Sequence, residues 1–370
     1  MEPRKIVLIL GNGFDLDLGL KTRYSDFWKS DFCPKRYPAP LIHHLNQCWK
    51  DSIEAVKWYD LENELLNYYK SIPNPKIGLD IITDEEKALL KEFTTYKQSF
   101  GYFNDQLDLL STLVNKGVLS YDGNPFGRIG EHLKEDALKS PIWRDRKALK
   151  HIKEGLCEYL RSIDSPIPGG YTVAFQLLLA MTKTVKAGDL VNIYTFNYTR
   201  VQMRGYDMSD IPVHYMHGSC EDGKIIIGTR DDLQMETNYD FLQKSMDDSF
   251  FPPDLVTALK DADEVIIFGH SLGENDRQYF APFFLRQVDY YNPNRKNITI
   301  FTRDNDSKVE IKRALQKMTD GKLSVLYSIN QPTIIRTANL QEDQQLMYKF
   351  LVDHHSGKEY ASEIIEKLLQ

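Results

Sequence analysis

Apolar residues run unbroken from Ile6 to Leu10, three of them Ile or Val, and stop at Gly11-Asn12-Gly13. A run of this kind predicts an inner strand of a sheet covered on both faces. Further strand-like runs follow at Leu190–Phe196, Val213–Met216, Lys224–Ile227, Glu264–Phe268, Ile298–Thr302 and Leu323–Tyr327. Helical patterns separate several of them, at Phe251–Lys260, Asn275–Tyr290 and Lys308–Met318. Strands alternating with helices predict an α/β fold with a mostly parallel sheet. Between the first and second strands the pattern is helical: His43–Tyr69, Thr83–Val114, Arg146–Arg161 and Tyr171–Lys186. The expectation is a Rossmann-like nucleotide-binding domain from residues 1–40 and 188–370, with a large helical insertion over residues 41–187 after the first βα unit.

The composition is that of an ordinary globular protein, 27% charged and 42% hydrophobic in 370 residues. A net charge of −7 argues against a nucleic-acid binder held by bulk electrostatics. Cys33, Cys48, Cys157 and Cys220 lie far apart and form no C-x-x-C pair, so the cysteine spacing implies neither a zinc module nor a disulfide framework. The first residues do not read as a signal peptide, and no apolar run reaches the ~18 residues of a membrane span. The expected location is the cytoplasm, with no membrane partner.

In an open parallel sheet, ligands sit outside the carboxyl ends of the strands. Four such ends carry unusual polar clusters. After the first run, Gly11 and Gly13 lack the side chains that would keep a ligand from the backbone, a geometry suited to phosphate. Asp15 there either caps the next helix or orients a ribose hydroxyl or water. Asn197 follows the second run in Thr195-Phe196-Asn197-Tyr198-Thr199, where it can hold an amide ligand, position a water or stabilise a turn. His217 ends the third, ahead of Gly218, where it can serve as a base near neutral pH. The fourth is Gly269-His270-Ser271-Leu272-Gly273-Glu274-Asn275-Asp276, in which Gly269 and Ser271 can line a nucleotide that Asp276 caps or touches.

Other readings stay open. Gly269–Gly273 also fits the G-x-S-x-G nucleophile elbow, with Asp304 or Asp306 and His354 completing a triad. A metal-dependent nuclease or other phosphodiesterase is a further alternative: Glu62, Glu64, Asp15 and Asp17 are carboxylates available to a divalent metal, although their spacing specifies no site and no metal ligand is assigned. The aromatic-rich stretch Trp58–Tyr69 reads as packing within the insertion, Arg144–Lys153 as a solvated helix face, and His354-His355 as exposed.

The segments LILGNGFDLDLGLKTRYSDF, YTFNYT, MHGS and IIFGHSLGENDRQYF, in this order, resemble the AbiH family of abortive-infection anti-phage proteins. Trp58–Glu62 is similar to an acidic helical motif of that family. The same segments also resemble, remotely, the sirtuin-like NAD-binding fold. Gly11–Asp15 is similar to its first glycine turn, Thr195–Thr199 to its T-x-N-x-D segment, His217-Gly218 to its catalytic His-Gly, and Gly269–Ser271 to its later nucleotide turn.

This second resemblance implies NAD or a related nucleotide as ligand or substrate. Asn197 would hold water or the nicotinamide ribose, His217 would take a proton, and Gly11, Asn12, Gly13, Asp15, Thr195, Thr199, Gly218, Gly269, His270, Ser271 and Asp276 would surround the nucleotide. Glu62 is a third catalytic candidate. Thr199 stands where sirtuins have an Asp, Asp15 where they have a small hydroxyl residue, and the paired-cysteine zinc module is missing. The implied chemistry is therefore NAD hydrolysis without zinc rather than protein deacylation, and a non-catalytic nucleotide sensor is the alternative. The expected partners are the nucleotide and a phage-derived trigger, with a homo-oligomer left open.

Overall fold

A computed structural model describes residues 2–54, 60–72, 141–163, 171–203, 206–289, 291 and 295–369. The chain divides into two compact units. The first comprises Met1–Thr22, Leu160–Lys224 and Phe251–Gln370; the second comprises Arg23–Tyr159 and Ile225–Phe250. This grouping places residues 23–40 and Ile225–Phe250 with the helical unit and residues 160–187 with the sheet-bearing one.

The first unit is built on a six-stranded sheet. Its strands are β1 (Lys5–Leu10), β2 (Leu190–Thr195), β3 (Val213–Tyr215), then, after the two-residue β4 (Gly218–Ser219) and β5 (Lys224–Ile225), β6 (Glu264–Phe268), β7 (Asn297–Thr302) and β8 (Thr333–Arg336). The sheet order is β3-β2-β1-β6-β7-β8, and every pairing in it is parallel. From β1 the chain fills one side of the sheet, then returns to fill the other. This is the doubly wound order, with its switch point between β1 and β6.

The apolar run of β1 is unbroken because both of its faces are buried. Ile6, Leu8 and Leu10 point into one core with helix α6 (Val173–Lys186) and the C-terminal helices α11 (Leu340–Asp353) and α12 (Lys358–Leu368). Val7 and Ile9 point into the other, with α7 (Leu255–Asp261), α8 (Arg277–Gln287) and α9 (Asn305–Met318). The period-two alternation of the strand thus serves both layers.

One strand expectation is overturned. Leu323–Tyr327 lies in a helix, α10 (Leu323–Ile329), and the sixth strand of the sheet is Thr333–Arg336. The segment LSVLY alternates like a strand, yet it packs Leu326 against the core of α8 and α9 while β7 pairs along Thr299–Thr302 with the shorter TIIR run. Strand propensity here yields to tertiary pairing. The expected strand at Lys224–Ile227 shortens to two residues.

The second unit contains α2 (Tyr24–Lys29), α3 (Pro40–Glu54), α4 (Leu61–Ser71) and α5 (Pro141–Ser162) up to Tyr159. The single helix expected over His43–Tyr69 is two, and Asp60 caps the second by accepting from the Asn63 N–H. The expected helix Thr83–Val114, and Trp58 of the aromatic stretch, lie outside the described residues. Arg144 departs from the solvated-face reading. It is fully buried and donates to the Pro38 carbonyl at 2.9 Å, beside Asp145, which accepts from the Leu41 N–H and the Tyr68 hydroxyl. Among the described residues no helix is long and apolar enough to cross a membrane.

Candidate functional site

The switch point is assembled by two glycine turns packed on each other. The Gly11 N–H donates to the Phe268 carbonyl, and the Gly13 N–H to that of Gly269, each at 2.9 Å. A Cβ on Gly11 would lie 2.5 Å from His270 Cα, and one on Gly13 would lie 2.6 Å from Gly269 Cα. Gly269 itself has φ +65° and would place a Cβ 2.4 Å from the Phe14 nitrogen. The glycines expected to admit a phosphate therefore admit the main chain that follows β6. Helix α1 (Asn12–Asp17) begins here and is six residues long. Asn12 turns aside to accept from the Thr22 hydroxyl at 2.5 Å.

Asp15 does not cap α1; its N-cap, Gly11, has no side chain. The Asp15 carboxylate is buried and bridges to the segment after β2. Asn197 Nδ2 donates to Oδ1 at 2.9 Å, and Thr199 Oγ1 donates to Oδ2 at 2.6 Å. Asn197 Nδ2 also donates to the Gly11 carbonyl at 3.1 Å, and Thr195 Oγ1 accepts from the Asn197 N–H at 3.1 Å. Burial pushes the Asp15 carboxyl up to about 7, against the opposing pull of its hydrogen bonds to Thr199 and Asn197. A carboxyl in that range exchanges protons near neutral pH.

His217 and His270 meet on a second carboxylate. Asp276 Oδ1 lies 3.3 Å from His217 Nε2, and its Oδ2 lies 3.4 Å from His270 Nε2. His270 Nδ1 accepts from the Leu272 N–H at 3.0 Å, which assigns the ring proton to Nε2, facing Asp276. Both imidazoles are buried, and the Phe196 ring packs against each, with centroid distances of 5.3 and 4.3 Å. The expected role of Asp276, capping or touching a nucleotide, becomes that of the partner of two histidines. His217–Asp276 has the arrangement of an imidazole base oriented by a carboxylate. Gly218 follows with φ +75° and opens β4.

Other candidates have partners of their own. Glu62 belongs to the second unit, where its carboxylate lies 3.0 Å from Lys244 Nζ and both groups are buried. Asp17 is engaged at the start of α6, accepting from the Ala174 N–H at 2.8 Å. The nucleophile-elbow reading fails. His354 Nε2 lies 3.3 Å from Glu264, which begins β6, whereas Ser271 follows the end of that strand. The proposed triad would thus span opposite ends of the sheet. The left-handed residue of the turn is Leu272, not Ser271, and Asp304 caps α9 by accepting from Ser307. His354 is also buried, contrary to expectation, while His355 is exposed.

The sequence motifs located the residues of the cluster but not their partners. The pairing of His217 and His270 through Asp276 had no signal in spacing, since the three come from two different strand ends. No curated protein and no solved structure matches the chain significantly. A family model described as bacteriophage abortive infection AbiH does match, over residues 7–291, a span covering most of β1, the switch-point cluster and the region between its parts. The chain therefore belongs to the AbiH family and is an abortive-infection anti-phage protein.

Proposed function

We propose that the first unit hydrolyses NAD or a related nucleotide at the nicotinamide–ribose bond, as the chemical arm of abortive infection. The observation that carries the reading is the gathering of Asp15, Asn197, His217, His270 and Asp276 at strand carboxyl ends beside the switch point, where doubly wound sheets bind nucleotides. In this reaction the bond from ribose C1′ to the nicotinamide nitrogen breaks, and nicotinamide leaves with the electron pair. Water attacks C1′ and gives its proton to His217, which Asp276 holds in orientation. Asn197 and Asp15 orient the ribose or the water. The likeness to the sirtuin-like fold belongs to this proposal and supplies its substrate class.

The test is nicotinamide release from NAD by the purified full-length protein, separated by chromatography, beside His217→Ala. Release that depends on His217 supports the reading. Release unchanged in His217→Ala removes His217 as the base.

A second reading, a nucleotide sensor without turnover, draws on one observation: the His217 and His270 rings are buried against Phe196. NAD binding by calorimetry with no release, and a defence phenotype retained in His217→Ala, would favour it. Neither binding nor release would remove NAD as the ligand.

A further inference from the structure

A second chemical centre lies in the helical unit, unused by the function proposed above. On α3, His44 and Cys48 are four residues apart and share one face of the helix. Helix α4 brings Glu64 to the same point. Cys48 Sγ lies 3.4 Å from His44 Nε2, and His44 Nε2 lies 3.8 Å from Glu64 Oε2. The three donor atoms all fall within 4.8 Å of one another. Tetrahedral zinc with ordinary bond lengths holds a thiolate and an imidazole about 3.6 Å apart, and an imidazole and a carboxylate about 3.3 Å apart. Small side-chain movements convert the observed cluster into a ligand set.

We propose that His44, Cys48 and Glu64 form a site for a divalent metal of the zinc class, with water in the fourth position. Imidazole, thiolate and carboxylate together select zinc over the hard, all-oxygen cations. Three protein ligands leave one position open, the arrangement of a reactive rather than a closed structural site. Asn67 Nδ2 donates to Glu64 Oε2 at 3.1 Å and so orients this ligand from outside, as outer-shell groups of metal sites do.

The electrostatics also call for a cation. Among the described residues no Lys or Arg pairs with Glu64. A dication would supply the missing positive charge and hold the sulfur as thiolate. Cysteine spacing alone could not reveal the site, because it contains one cysteine. The legible signal is H-x-x-x-C on a helix, the one-turn spacing that places two ligands on one side.

Untagged full-length protein, stripped with a chelator, would be titrated with cobalt(II) and then zinc(II). The expected result is one equivalent of cobalt(II) per chain, with a near-ultraviolet sulfur-to-cobalt band that zinc(II) displaces. Cys48→Ser should abolish the band, and His44→Gln should weaken binding at least about 10-fold, the scale on which even outer-shell changes act. As a readout that needs no variant, zinc(II) should slow alkylation of Cys48 by iodoacetamide. Lack of stoichiometric uptake, a band that persists in Cys48→Ser, or Cys48 alkylation unaffected by zinc(II) would each overturn the proposal.

Discussion

Asn197 Nδ2 donates to the Asp15 carboxylate at 2.9 Å, joining the helix after β1 to the segment after β2 across 182 positions of sequence. The same amide nitrogen satisfies the Gly11 carbonyl. One side chain therefore ties together the ends of the adjacent strands β1 and β2, on one side of the switch point. Asn197→Ala leaves a buried carboxylate oxygen and a buried carbonyl short of a donor. Chemical denaturation should show a loss of about 1–3 kcal/mol, with more lost than in Thr195→Ala.

Asp15 gives the protein a pH signature. Its folded-state value, about 7, lies above the ordinary 3.8, so between these values the folded protein holds a proton that the unfolded chain has released. Stability from this group is full below about pH 4 and declines as pH rises towards 7, then stays flat. Asp15→Asn retains a carbonyl for Asn197 and removes the charge. Its melting temperature should exceed that of the native protein at pH 8, by the equivalent of up to about 4 kcal/mol, and the gap should close towards pH 4. A gap independent of pH would show that Asp15 is not the titrating group.

If Asp276 orients His217, then Asp276→Asn should lower kcat for nicotinamide release by about 10²–10⁴-fold while KM changes little. The pH–rate profile should shift as well, because the imidazole loses its carboxylate partner. A change confined to KM would instead make Asp276 a substrate-binding group.

The two glycine turns predict a graded series. Gly13→Ala must drive main chain apart, since Gly269 Cα is 2.6 Å from the new Cβ. Expression should fall, or stability drop by more than about 3 kcal/mol, as for severe core overpacking. Gly321, unlike Gly13, adopts a left-handed conformation, with φ +81°, and no heavy atom lies within 4 Å of its would-be Cβ. Gly321→Ala carries only backbone strain and should cost about 1 kcal/mol. Equal costs in thermal melts would refute the packing account of the first turn.

Lys244 and Glu62 form a buried pair in the helical unit. Lys244→Met alone removes the cation facing a buried carboxylate and should cost about 3–5 kcal/mol, whereas adding Glu62→Leu should recover most of it. Nicotinamide release by the double variant would also show directly whether Glu62 belongs to the chemistry.

The order of layers was legible in the sequence because buried parallel strands must be apolar on both faces. Ile6–Leu10 and Glu264–Phe268 announce themselves for that reason. The polar residues at their ends were equally visible, since a strand carboxyl end is where polar groups and glycine interrupt such a run. LSVLY and TIIR show where this legibility stops: both suit a strand, and only the edge offered by β7 selects the second.

Composition and local pattern determined that an α/β sheet forms around β1 and which residues cluster at its carboxyl edge. The tertiary structure alone decided what those residues do to one another. Gly11 and Gly13 face the backbone of Gly269 and His270, Asp15 faces Asn197 and Thr199, and Asp276 lies between two imidazoles. Periodicity reports which side of its own element a residue occupies. Contacts across 180 or more positions, as between Asp15 and Asn197, depend on the crossover that brings β2 beside β1. No local physical rule carries that information along the chain.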